Sequence, residues 1–342
     1  MLHLSRLAGS ALSLLFLANA LFAQTTPAKE DLAAPLETDK TAVAVSVNGR
    51  PIYEVAVERA LQAVPADERA KARAEVVQFL VDNAIIDQYL VALKVAVEPK
   101  EIDAQLAQFK EEVKKQEQDY ALVLKKMKLS EAELKEQIHN QLRWEKFVGQ
   151  QATDEKMKAL FEHMPEAFDG TTIRARHILL SPGADEKAKQ EALSKLREIK
   201  AQIEKDLAEG LAKLPADADN LTKEKKKNEL LEDAFGEAAK KISTCPSKSE
   251  GGDLRWFPRY GSMVEAFSKA AFGLKTYQIS DVVTTPFGYH LILVTARKAG
   301  VPTKYEDAKV KESVKEIYEA RLKEAVLGQM KPKAKVEVTP LK

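Results

Sequence analysis

The chain has 342 residues and a single cysteine, Cys245. One thiol cannot close an internal disulfide, so the fold must rest on its apolar core in any redox compartment. A surplus of one charge is also missing: nearly a third of the residues are charged, yet the formal balance is +1. This excludes nucleic acid as a main partner, because such binding needs a basic surplus or stripe. The densest cationic cluster, Lys223-Glu224-Lys225-Lys226-Lys227, reads as a solvated helix or loop. Beyond the N-terminus no apolar run is long enough to span a bilayer, so no membrane span is expected in the mature chain.

The N-terminus itself reads as an export signal over residues 1–23. His3 and Arg6 precede an apolar run from Leu12 to Leu17, and Ala18, Ala20 and Ala23 offer small residues for cleavage after position 20 or 23. An uncleaved anchor is the alternative. No cysteine follows the signal, which argues against a lipid-anchored protein. Residues 24–41, rich in Thr, Pro, Ala and acidic residues without periodicity, read as a flexible leader.

A chain of this length divides into two or three units. Ordered sequence begins at 42–47, where alternating valines lead into Asn48-Gly49, the strongest short hairpin signal, and then Arg50-Pro51-Ile52-Tyr53. Helical spacing follows: Val77, Leu80, Val81, Ala84 and Ile85; Ile102, Leu106, Phe109 and Val113; Leu134, Ile138 and Leu142. Pro99 can start a helix, and Ser130-Glu131-Ala132-Glu133 is a capping box. Residues 42–170 are therefore a helical domain. His139 and His163 within it have no partner at metal or relay spacing and are given packing or surface roles.

Residues 171–298 change character. The pattern predicts strands at 173–180, 254–257, 279–285 and 289–294, and helices at 187–207, before Cys245, and at 264–271. This is an α+β domain with a small sheet, and the lysine-rich stretch 211–229 reads as an insertion between its helices. The tail, 299–342, returns to helix on Val310, Val314, Ile317 and Leu322, stops at Pro332 and offers an edge strand at 336–338. It is too small for its own core, so it is expected to dock back on the N-terminal hairpin and helices.

Period two places Ile173, Ala175, His177 and Leu179 on one face of their strand, and His290 with Ile292 and Val294 on one face of theirs. Both imidazoles thus face an apolar side of the sheet. They are either satisfied core histidines or part of a site. Cys245 stands in a loop that leads to Gly251-Gly252 and is either a half-buried small hydrophobe or one half of a Cys-His nucleophilic pair. Met263 and Phe267, four apart on one helix face, form with Leu254 and Phe287 either ordinary core or a pocket the size of a five-membered ring.

His177-Ile178-Leu179-Leu180, Cys245-Pro246-Ser247, Gly251-Gly252-Asp253-Leu254, Met263 with Phe267, and Phe287-Gly288-Tyr289-His290 together resemble the parvulin-type peptidyl-prolyl cis-trans isomerases. The flanks, with their signal, Asn-Gly hairpin, helical domain and returning helix and strand, resemble the exported SurA/PrsA/PpiD group of foldases and chaperones. The resemblance implies a parvulin domain joined to a SurA-like helical domain that the C-terminal helix and strand complete. It implies isomerisation of Xaa-Pro bonds in unfolded or partly folded exported polypeptides, in a periplasm, without metal or cofactor. Leu254, Met263, Phe267 and Phe287 would hold the proline; His177, Cys245, Thr285 and His290 would form a hydrogen-bonded polar cluster with a catalytic role.

The sequence departs from the family pattern at several points. Arg255 and Tyr277 stand where the family usually has glycine, an extra residue falls within 257–261, and Thr244 replaces an acidic residue common beside the cysteine. The loop 181–187 lacks the arginine cluster that a phosphoserine-proline preference needs. Two rival readings remain: a binding chaperone whose parvulin domain has lost turnover, and a Cys-His hydrolase. A homodimer is also left open.

Overall fold

A computed structural model describes residues 42–339. The signal and leader fall outside the described residues. The described residues form two compact units, one of residues up to 160 together with those from 311 on, the other of residues 161–310.

In the first unit, β1 (Val43–Val47) and β2 (Arg50–Tyr53) make the hairpin that Asn48-Gly49 announces. Asn48 and Gly49 both have positive φ, 52° and 79°, as a tight turn between twisted strands requires. β7 (Val336–Val338) pairs antiparallel with the other edge of β1, giving the order β2-β1-β7. Helices α1 (Glu54–Leu61), α2 (Arg69–Ala92), α3 (Pro99–Lys115), α4 (Tyr120–Lys126), α5 (Glu131–Gln151) and α6 (Asp154–His163) follow in chain order. The long C-terminal helix α10 (Ala308–Met330) returns to this unit: Val326, Leu322 and Met330 pack with Ile86 and Leu90 of α2 and Phe147 of α5. Val45 and Val47 pack with Val81 and Ile85 beneath the small sheet. A second core gathers Leu106, Phe109, Val113, Leu134 and Ile138 from α3 and α5. The Ser130–Glu133 capping box forms as the sequence implies, the Ser130 hydroxyl accepting from Glu133 N at 3.2 Å. His139 lies beside Arg143, Nε2 to Nη2 at 3.0 Å, and Arg143 in turn pairs with Asp87.

The second unit is built on an antiparallel sheet of order β4-β3-β6-β5, with β3 (Thr172–Leu180), β4 (Asp253–Pro258), β5 (Val283–Thr285) and β6 (Gly288–Lys298). The two central strands alternate, as period two requires. Ile178, Leu291 and Leu293 face α7 (Glu186–Leu211) and α8 (Asn220–Ile242), where they meet Leu196, Ile203, Leu231 and Phe235. Ile173, Ala175, Ile292 and Val294 face α9 (Glu265–Gly273) and its Phe267, Ala271 and Phe272. Phe235 is wholly buried, and a side chain of that size contributes roughly 2–3 kcal/mol by leaving water.

Two elements refine the sequence reading. The lysine-rich stretch is mostly helix: α8 begins at Asn220, with the Asp219 carboxylate accepting from Thr222 N at 2.8 Å as its cap. Lys, Glu and Leu are good helix formers, and of the two readings, helix or loop, the run 223–227 takes the first. The strand expected over 279–285 is reduced to β5. Upstream, Ile279 makes a lone bridge to Leu293, and the Ser280 hydroxyl accepts from Ile292 N at 2.9 Å in place of a ladder bond.

Candidate active site

β3 and β6 pair so that His177 lies opposite Ile292, and His290 opposite Leu179. The two histidines are therefore diagonal neighbours on the α9 face of the sheet. Their rings lie 5.4 Å apart, inclined by 25°, and Nδ1 of His177 is 3.2 Å from Nδ1 of His290. Both are buried, at 5% and 4% exposure. Burial lowers the pKa of each to about 4, and for His290 the nearby His177 charge adds to the effect. At neutral pH both imidazoles are uncharged.

Thr285, at the end of β5, extends this pair, with Oγ1 2.8 Å from His290 Nε2. The same hydroxyl oxygen accepts from Phe287 N at 3.1 Å. On the other side, His177 Nε2 lies 3.1 Å from Ser247 Oγ. Ser247 sits in a short 3-10 turn, Pro246–Glu250, that follows Cys245. The loop carrying this turn is fastened along β3 at both ends. Thr244 donates its N–H and its hydroxyl to the Leu179 carbonyl, at 2.8 and 3.0 Å, while His177 N donates to Gly252 O at 2.9 Å. Gly252 has φ +79° and passes so close to β3 that a Cβ there would collide with the His177 carbonyl oxygen. This close approach holds Ser247 over the imidazole.

Phe267 of α9 meets both imidazoles edge-on, with centroids 5.8 Å from His177 and 5.3 Å from His290. Leu254 and Met263, half-buried, pack against the same cluster as Phe267 and Phe257. The result is an apolar cluster with a polar chain along one side.

Of the eight residues singled out from the sequence, six converge: His177, His290, Thr285, Leu254, Met263 and Phe267. Cys245 does not join the hydrogen-bonded set. It is half-buried, its N–H donates to Ser243 Oγ at 3.3 Å, and among the described residues its thiol bonds neither imidazole. The contact expected of it is made by Ser247, because the proline-initiated turn swings the residue two places on toward β3. The thiol–imidazole pair that a Cys-His nucleophile requires is not formed. Phe287 is 49% exposed in the turn between β5 and β6, outside the buried cluster, and its carbonyl accepts from Ser181 Oγ at 2.7 Å. Arg255 and Tyr277, the two residues standing where glycine is usual, both have left-handed backbone, at φ 61° and 58°. Sequence reasoning missed Ser247; its place between Pro246 and the paired glycines was the available signal.

Residues 32–148 match the model of the SurA-like N-terminal domain, and residues 206–296 match that of the PPIC-type PPIase domain. The second match takes in Ser247, Leu254, Met263, Phe267, Thr285 and His290, while His177 precedes it on β3. The chain is 34% identical over 275 residues to the foldase protein PrsA of Bacillus subtilis (strain 168), covering 78% of this chain and 75% of that protein. It is 30% identical over 272 residues to the PrsA of Geobacillus sp. (strain WCH70), covering 79% and 77% respectively. A crystal structure of the peptidylprolyl isomerase PrsA from Bacillus anthracis is 26% identical, covers 75% of this chain and 98% of its own, and has a TM-score of 0.39. The chain belongs to the PrsA foldase family: it is an exported peptidyl-prolyl cis-trans isomerase with a SurA-like N-terminal domain, and it assists the folding of other exported proteins.

Proposed function

We propose that the proline ring of a client seats against the cluster of Leu254, Met263 and Phe267, and that the peptide bond before it turns against the wall formed by His177, His290 and Thr285. The observation that carries this reading is the contact of Phe267 with both buried imidazoles, which brings an apolar seat and a polar wall within one ring's reach.

The task is physical rather than covalent. Amide resonance opposes rotation with a barrier of about 18–20 kcal/mol, and an Xaa-Pro bond turns unaided in tens to hundreds of seconds. In the twisted amide the nitrogen is pyramidal and the carbonyl has lost conjugation. A site lowers the barrier by gripping the ring and favouring that geometry over the planar one. An apolar seat removes the water that stabilises the planar, more dipolar amide, while fixed neutral hydrogen-bonding groups remain for the twisted form. Cys245 acts at most as a neighbour that tunes the turn, and Phe287 serves as an exposed rim.

The units divide the work as the sequence limits suggest, with 171–298 carrying isomerisation and 42–170, completed by 299–342, offering apolar surface to unfolded clients. The compartment is the periplasm, which fractionation of the producing cells tests. The central experiment is a protease-free isomerisation assay on the full chain with a short Xaa-Pro peptide, beside Met263→Ala. Acceleration by the native chain and a loss of about tenfold in the variant, the scale of roughly 1–2 kcal/mol of lost contact, is the expected result. No acceleration from a folded chain would refute turnover and leave client binding as the role.

A further inference from the structure

The protons of the polar chain can be followed one by one. The Thr285 hydroxyl accepts from Phe287 N, and its single proton has two acceptors in reach, His290 Nε2 at 2.8 Å and the Gly288 carbonyl at 3.4 Å. Donated across the shorter contact, it sets the order of every bond that follows. His290 Nε2 is then bare, and a neutral imidazole must carry its proton on the other nitrogen. His290 Nδ1–H donates across 3.2 Å to His177 Nδ1. His177 in turn carries its proton on Nε2 and donates across 3.1 Å to Ser247 Oγ. With the Thr285 proton on His290 Nε2, the chain runs from Thr285 through His290 and His177 to Ser247.

Its last member differs from the others. His177, His290 and Thr285 are 5%, 4% and 8% exposed, whereas Ser247 is half-buried. The Ser247 hydroxyl accepts from His177, and its own proton finds no acceptor among the described residues. We propose that Ser247 is the substrate-facing end of the chain and donates a hydrogen bond to the prolyl amide as it twists. This rests on the assignment of His177, His290 and Thr285 to the isomerase site. The lone pair that localises on the prolyl nitrogen during rotation is the fitting acceptor. No bond breaks and no proton is transferred; the hydroxyl gains an acceptor in the transition state that the planar amide nitrogen does not offer. The role given to Cys245 on sequence grounds then falls to Ser247.

The test uses the full chain and a short Xaa-Pro peptide. Ser247→Ala is expected to lower kcat about tenfold with little change in KM, the scale of one neutral hydrogen bond made in the transition state. Ser247→Thr, which keeps a hydroxyl, restores most of the rate, and Cys245→Ala stays within about twofold of native. Imidazole 15N spectra of the native chain at pH 7 supply a readout that loss of packing would not mimic: the proton is expected on Nε2 of His177 and on Nδ1 of His290. Native kcat in Ser247→Ala, or the reverse tautomers in the native chain, would overturn the proposal. If Ser247→Ala does not fold, the tautomers and the Ser247→Thr rate decide. A native chain without turnover would refute the site assignment itself, whereas native turnover insensitive to Ser247 refutes only the donor.

Discussion

Acidification from pH 7 to pH 5 should weaken the isomerase unit through its two buried imidazoles. In the folded state both pKa values stand at about 4, lowered first by burial, against 6.5 in an unfolded chain. Between those values the unfolded chain binds protons that the folded chain excludes, so stability rises with pH and is lost as pH falls from 6.5 toward 4. Each imidazole contributes a slope of about 1.4 kcal/mol per pH unit in that window. From pH 7 to pH 5 this amounts to about 2 kcal/mol per histidine, or about 4 for the pair. The chain has two tryptophans, Trp144 in the first unit and Trp256 in the second. Trp144→Phe therefore leaves Trp256 fluorescence as a reporter of the isomerase unit. With a typical urea dependence, its unfolding midpoint should fall by about 2 M between the two pH values. Adding His177→Asn should remove about half of that fall. A midpoint unchanged between pH 7 and pH 5, or a fall that His177→Asn leaves intact, would refute the account of two neutral buried imidazoles.

The two left-handed residues should respond in opposite senses to glycine. Arg255→Gly relieves a strained φ of 61° and removes an exposed ion pair to Glu250 at 3.4 Å and a long one, 3.8 Å, to buried Asp253, which keeps its closer partner Arg174, so it should stabilise by about 1 kcal/mol. Tyr277→Gly relieves a similar φ but also removes a ring packed against the core that holds Phe235, and the 2.9 Å bond from its hydroxyl to Glu232. It should destabilise by about 2 kcal/mol, and urea midpoints of the two variants check the contrast. Gly252→Ala places a methyl on the His177 carbonyl and should cost roughly 3 kcal/mol or more; native stability in that variant would deny the close loop–strand approach that seats Ser247.

Much of this architecture can be read from pattern because it depends on local rules. Asn48-Gly49 requires a tight hairpin, Ser130 with Glu133 requires a helix start, and period two along 173–179 puts His177 on the apolar face before any contact is known. The helical stripe of Val310, Val314 and Ile317 likewise marked a helix, and the match of Val45 to Val338 closes its strand on β1. What pattern could not give is the identity of the atom that meets His177. Cys245 and Ser247 are two residues apart in one loop, and either can lie over the strand. The choice depends on φ and ψ through Pro246 and on the bonds that fasten Thr244 and Gly252 to β3, which are non-local. The lysine-rich run reads as either helix or loop for the converse reason. Its charge is conspicuous, but charge on an exposed helix face does not oppose helix formation, and Asp219 supplies a cap that only the structure makes evident.

The burial that makes the unit acid-labile is also what suits the site to amide rotation. Rotation creates no ion; it turns a planar, dipolar amide into a twisted one with less charge separation. An imidazolium in the wall would attract the partial negative charge of the planar carbonyl oxygen and so stabilise the ground state more than the transition state. Histidines titrating near 6.5 would present such a cation over part of the physiological range. Holding both near 4, by burying them between the sheet and Phe267, keeps the wall neutral and lets it act through directed hydrogen bonds alone. Neutrality also makes the bonds of the chain run one way along its length, because each imidazole has a single proton to donate. Protonating either one would leave two N–H groups facing each other across the 3.2 Å Nδ1 contact, or would reverse the bond to Thr285 or Ser247. Acid lability and an ordered polar chain are thus two consequences of one arrangement, the enclosure of a histidine pair in an apolar core.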